Sequence, residues 1–108
     1  MIYHIVRESD WLKALDAGEY KPESLHTEGF VHCSTEEQLM TTAERYYAEE
    51  TEPLVVLFII DKFVKETLKF EPSTDGELFP HVYGKIPFHS VETTRSLTRK
   101  GPGKWELD

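Results

Sequence analysis

The stretch that decides the fold is LVVLFII at residues 54–60, which contains no polar residue. A strand with one face in solvent alternates apolar and polar residues, and this stretch does not alternate. We therefore expect a strand that is covered on both faces and lies in the middle of a sheet. Pro53 precedes it and Asp61 follows it, which sets its two ends.

Short strand and helix patterns flank this segment on both sides. Further strands are predicted at residues 2–6, 30–33, 68–71, 80–83 and 91–97. Ser9 is expected to cap a first helix that stops at Gly18, and Ser34 or Thr35 is expected to cap a second one. Residues 20–28 are expected to form a loop. Few helices beside many short strands predict one α+β domain over residues 1–97, followed by a C-terminal tail, 98–108.

The composition excludes several classes of protein. The chain has 108 residues, of which 39% are apolar and 30% charged, which is the balance of one globular domain. The net charge of −8 argues against binding to nucleic acid or to a membrane surface, because both need clustered basic residues. No apolar run approaches the roughly 18 residues of a membrane span. With no visible secretory signal and a single cysteine, the sequence favours a reducing, cytoplasmic location.

Side-chain alternation along residues 30–34 separates polar from apolar residues. Successive side chains of a strand point to opposite faces, so His32 and Ser34 share one face while Val31 and Cys33 share the other. His32 and Cys33 therefore diverge, and we expect no thiolate–imidazolium pair between them. Cys33 is expected to be a small core residue.

Two further strands repeat this arrangement. His81 and Tyr83 lie together and opposite Val82, and His4 faces away from its apolar neighbours. We predict that His4, His32 and His81 line one cleft, which would gather imidazoles, hydroxyls and a phenol. The alternative is that each histidine is half-exposed or bonded to a backbone carbonyl.

Other chemistry has weaker support in the sequence. There is no His-x-x-x-His, no Cys-x-x-Cys and no Gly-x-Ser-x-Gly, so we expect no bound metal and no serine hydrolase. Most carboxylates are expected to be solvated charges. Glu71 and Glu77, which lie next to the candidate strands, are the two that we retain as candidates.

Two motifs are distinctive, namely GFVHCST at residues 29–35 and FPHVYG at residues 79–84. Together with IYH at residues 2–4 and RYY at residues 45–47, they make the sequence resemble the bacterial family known as domain of unknown function 952. The resemblance runs over residues 2–97, which is nearly the whole chain.

This resemblance implies a fold and a site. The family is grouped with ADP-ribosyltransferase-like proteins, whose split β-sheet holds a nicotinamide-dinucleotide cleft between its halves, so NAD is the implied cofactor. The implied catalytic residues are His32, His81 and Tyr83. The implied cofactor-binding residues are His4, Ser34, Thr35 and Arg45.

One position departs from the pattern of active transferases. Where these carry a Glu that stabilises positive charge, this sequence has His81 or Tyr83, which supplies no negative charge when neutral. Two interpretations remain. The first is a complete or degenerate enzyme that binds NAD or a related nucleotide weakly, helped by Arg7, Arg45 or Lys85. The second is a non-catalytic module that recognises a small metabolite or a protein partner.

Overall fold

Two antiparallel sheets organise the computed structural model, which describes residues 1–108. The larger sheet has the spatial order β1 (Ile2–Arg7), β3 (Leu54–Ile59), β6 (Val91–Gly101) and β7 (Lys104–Leu107). The smaller sheet has the order β2 (Val31–His32), β5 (Leu78–Val82) and β4 (Leu68–Pro72). The three α-helices are α1 (Glu8–Ala17), α2 (Glu23–Thr27) and α3 (Glu36–Tyr46). None of them is long and apolar enough to cross a membrane. The predicted α+β class is confirmed.

The central position predicted for residues 54–60 is confirmed, with the strand ending one residue earlier. β3 pairs with β1 on one side and with β6 on the other. Its two faces enter two separate cores, which explains why it has no polar residue. Val55 and Leu57 pack with Trp11 of α1, whereas Leu54 and Val56 pack with α3. The smaller sheet adds its own apolar side to the α1 core through Val31, Cys33 and Val82.

The helix ends follow the predicted signals in part. Gly18 ends α1 with a φ of 85°, a conformation that glycine adopts without steric cost. α1 begins at Glu8, one residue before the predicted cap Ser9, because β1 runs directly into the helix and leaves no loop. Ser34 and Thr35 are the two caps expected for the next helix, and in the structure Thr35 is the cap. Its hydroxyl accepts from the Gln38 amide at 3.3 Å, and the Gln38 side chain accepts from the Thr35 amide at 3.0 Å.

Two segments differ from the sequence-based expectation. Residues 98–108, expected to be a tail, instead complete β6 and form β7. Trp105 holds this hairpin in place, since it is buried in the α3 core and donates from its indole nitrogen to the Tyr47 carbonyl at 3.2 Å. The strand predicted at 91–97 is thus present but continues to Gly101, and this continuation has no apolar alternation because its residues are almost all exposed. The loop expected at 20–28 contains the five-residue helix α2, which is too short for a helical period to show.

Candidate functional site

A cleft opens where the two sheets separate. β1 and the chain just after β2 meet in one bridge, in which the Tyr3 amide donates to the Ser34 carbonyl at 2.9 Å and the Ser34 amide donates to the Tyr3 carbonyl at 2.7 Å. Past this bridge the two strands do not pair, and a space of about 750 Å³ lies between them. That volume falls within the usual range of small-molecule sites, about 300 to 1,000 Å³.

His4 connects the two sheets at the floor of the cleft. Its Nδ1 lies 2.6 Å from the His32 carbonyl oxygen, which can only accept, so Nδ1 carries the proton. Nε2 lies 2.6 Å from the Tyr20 hydroxyl, which therefore donates to it. Burial lowers the pKa of His4 to about 4, so the ring is neutral at pH 7. Both nitrogens thus have protein partners, and the His4 ring has no nitrogen left for a ligand.

His32 and His81 face each other across β2 and β5. They are register partners, and their ring centroids are 5.6 Å apart. Phe30 stacks on the His81 ring at 4.0 Å with an interplanar angle of 23°, and it also contacts His32 at 4.7 Å. His32 is exposed and donates from Nε2 to Glu28 at 2.9 Å. Phe30 and the two histidines form one side of the cleft, hereafter the aromatic wall, in which Phe30 and His81 are stacked and the His32 ring is inclined to both.

A carboxylate lies behind the aromatic wall. Glu71 on β4 accepts with the same oxygen, Oε1, from Nδ1 of His81 at 2.8 Å and from the Tyr83 hydroxyl at 2.6 Å. These hydrogen bonds, first that of Tyr83 and then that of His81, hold the pKa of Glu71 below its ordinary value, while the same carboxylate raises the pKa of Tyr83. Glu71 is therefore ionised and Tyr83 protonated at pH 7. With Nδ1 donating, the His81 Nε2 of a neutral ring carries a lone pair.

The other predicted site residues lie in different surroundings. Ser34 lines the cleft, although its hydroxyl donates to Thr42 of α3 at 3.2 Å. Thr35 serves as the cap of α3 and is not part of the cleft wall. Arg45 borders a smaller adjacent pocket and pairs with Asp75 at 3.8 Å.

The structure therefore brings part of the predicted set together. His4, His32 and His81 all line the same cleft, but His4 does so as the bonded residue of the floor. Tyr83 lies outside the cleft wall and reaches the site through Glu71. Cys33 is buried in the core, and burial raises the pKa of its thiol, so it is no nucleophile at pH 7. No group of three or more His, Cys, Asp or Glu side chains is arranged to hold a metal ion.

Three residues of the site were not among the predicted ones. Phe30 stands two positions before His32, so strand alternation could have placed it on the same face. Glu28, which precedes the strand, contacts His32, and Tyr20 contacts His4 from a loop that is distant in sequence. No local pattern indicates either of these two contacts.

Comparisons with known proteins agree with one another. The model of a family described as "Protein of unknown function (DUF952)" matches residues 5–94. The crystal structure of protein CC0527 from Caulobacter crescentus is 30% identical to the chain, covers 97% of this chain and 92% of that one, and has a TM-score of 0.84. The solution NMR structure of CC0527 is 29% identical, covers 95% and 89%, and has a TM-score of 0.80. No curated protein matches the chain.

Proposed function

We propose that the cleft of this protein, which belongs to the DUF952 family, binds a nucleotide with a ribose and a phosphate, NAD being the first candidate. The bound nucleotide is cleaved at its N-glycosidic bond. The observation that carries the proposal is His81, in the aromatic wall of a cleft of about 750 Å³, hydrogen-bonded from behind by Glu71. The split between two antiparallel sheets further supports a fold of the ADP-ribosyltransferase-like type.

The aromatic wall suits a flat base. The Phe30 ring and the His81 imidazole already stack on each other, and a heteroaromatic base can extend this arrangement from the cleft side. His32, exposed beside them, is within the same wall and can bond a ribose hydroxyl. Such neutral hydrogen bonds contribute about 0.5 to 1.5 kcal/mol each, so the proposal implies modest affinity.

Glu71 supplies the charge that the sequence motif lacks. Cleavage of an N-glycosidic bond passes through an oxocarbenium-like state, which a nearby anion stabilises. Glu71 is on β4, next to the β5 motif, and its Oε2 is not used by Tyr83 or His81. The carboxylate therefore comes from the neighbouring strand, where strand pairing places it against His81.

The proposed reaction assigns one step to His81. The bond between C1′ and the cationic nicotinamide breaks, and nicotinamide leaves as a neutral molecule with the bonding electrons. A water molecule, or a hydroxyl of an acceptor, forms the new C1′–O bond and gives its proton to Nε2 of His81. Glu71 orients the imidazole through Nδ1 and stabilises the positive charge that His81 gains.

Calorimetry and product release test the proposal together. Titration with millimolar NAD, NADP and AMP should give measurable heat with at least one of them, and NAD should release nicotinamide over time. His81→Ala should lose both signals. His89→Ala, an exposed residue that contacts Phe63 away from the cleft, should keep them. The proposal fails if no nucleotide binds or if the two variants behave alike.

A non-catalytic binding module is the second candidate. It is favoured because protein groups already hydrogen-bond both ring nitrogens of His4 and one ring nitrogen of His32. In that case a nucleotide or another small metabolite would bind and lose affinity in His81→Ala, but no nicotinamide would be released.

A further inference from the structure

The cleft offers no free cation to a phosphate group. Arg7 is the only lysine or arginine in its walls. The Arg7 guanidinium is already paired, since its Nε contacts Glu50 and lies 3.5 Å from Oε2 of Glu52. A phosphate that approached Arg7 would also approach these two carboxylates.

Apart from Arg7, the charged side chains of the cleft wall are acidic. Asp10 and Glu28 both line the cleft, and Glu71 lies behind it against His81. Glu28 is half-exposed and bonds His32 at 2.9 Å. Glu71 remains ionised through its hydrogen bonds, as described above. The walls therefore carry more negative than positive formal charge at neutral pH.

The nearest helix N-terminus does not compensate. A helix start can bind phosphate through its free amides and its dipole. α1 begins directly after Arg7 at the cleft, but its first turn carries Glu8 and Asp10, whose carboxylates oppose a second anion. The start of α3 likewise carries Glu36 and Glu37.

We infer that the cleft selects a ribonucleoside with a cationic heteroaromatic base and no phosphate, in preference to a dinucleotide. The inference rests on the proposed reaction at an N-glycosidic bond and replaces its phosphate-bearing substrate by the corresponding ribonucleoside. The cationic ring meets the aromatic wall and the carboxylate of Glu28, which lines the cleft, and Glu71 attracts its positive charge from behind His81. Each added phosphate brings negative charge into the same acidic walls and weakens binding.

A ligand series separates charge from shape. Calorimetry with nicotinamide riboside, nicotinamide mononucleotide and NAD should give affinities that fall in that order, by at least about tenfold from the first to the last. Adenosine, a ribonucleoside with a neutral base, should bind more weakly than nicotinamide riboside. Raising the ionic strength should weaken the binding of nicotinamide riboside and narrow the difference between its affinity and that of NAD. Salt screens both the attraction of the cationic base and the repulsion of the phosphates.

Charge-removing variants complete the test. Glu28→Gln and Glu71→Gln keep the size of the side chain and should each reduce the preference for the riboside over NAD severalfold. Glu106→Gln is the matched control, since Glu106 is on β7 at the opposite edge of the larger sheet and pairs with Lys100. It should leave the preference unchanged.

The outcomes distinguish the two proposals. If NAD binds as tightly as nicotinamide riboside or more tightly, or if adenosine equals the riboside, the charge inference is overturned while the nucleotide cleft stands. The charge inference is also overturned if Glu28→Gln and Glu71→Gln change the preference for nicotinamide riboside over NAD no more than Glu106→Gln does. If none of the four compounds binds, the proposed function itself is refuted.

Discussion

Mild acid should destabilise this protein through His4. The folded-state pKa of His4 is about 4, whereas an imidazole in the unfolded chain titrates near 6.5. The unfolded state therefore binds more protons between these values, and the stability present above about pH 6.5 is lost as the pH falls towards 4. The two pKa values give a loss of about 2 kcal/mol in the free energy of unfolding between about pH 7 and pH 5.

Urea denaturation across this pH range, followed by tryptophan fluorescence, measures the effect. His4→Asn is the informative variant, because its side-chain amide can still donate to the His32 carbonyl but does not titrate. It should be less stable at neutral pH, by about 1 to 3 kcal/mol for the lost Tyr20 contact, and should show a flatter pH dependence.

The control is His89→Asn, an exposed histidine that should keep the wild-type pH dependence. Carboxylates with lowered pKa values, such as Glu71 and Asp75, lose their contributions only at lower pH, so they do not obscure this window. If wild type and His4→Asn lose the same free energy between about pH 7 and pH 5, the reasoning about the buried neutral imidazole is refuted.

Two further predictions concern the C-terminal hairpin and the helix caps, and urea denaturation tests both. Trp105→Ala should lower the free energy of unfolding by about 3 to 5 kcal/mol because the indole is buried, while exposed Lys104→Ala should change it by less than about 0.5 kcal/mol. Equal small effects would mean that β7 adds nothing to the fold. Thr35→Ala should cost about 1 kcal/mol through the lost cap, and Ser9→Ala less than about 0.5 kcal/mol. A larger loss for Ser9→Ala would contradict the observed start of α1.

Local sequence rules were sufficient where backbone geometry alone decides the outcome. Alternation correctly buries Val31 and Cys33 and exposes His32, because a strand has only two faces. The apolar run at 54–60 correctly indicates a strand covered on both sides. Thr35 and Gln38 lie three positions apart, so their capping box is readable from sequence.

The rest depends on contacts between distant segments. Alternation gives the face of His4, but its role follows from Tyr20 and the His32 carbonyl, which only the folded chain brings to it. Glu71 could be selected as a candidate by its place near the motif, yet its contact with His81 requires the pairing of β4 with β5. These contacts belong to the tertiary structure, and neither the secondary-structure propensity of the residues nor the hydrophobic periodicity of the sequence predicts them.

The strand pairing also determines when the cleft can form during synthesis. β1 is the first strand made, yet its partner is β3, as in the pair Ile2 and Ile59. At about 5 to 20 residues per second, β1 waits about 3 to 10 s for that partner, with an apolar strand exposed. β2 waits for β5, its neighbour within the smaller sheet. The wall that holds His32 and His81 is therefore assembled late, after most of the chain has left the ribosome, so a chain that ends before β5 has no aromatic wall.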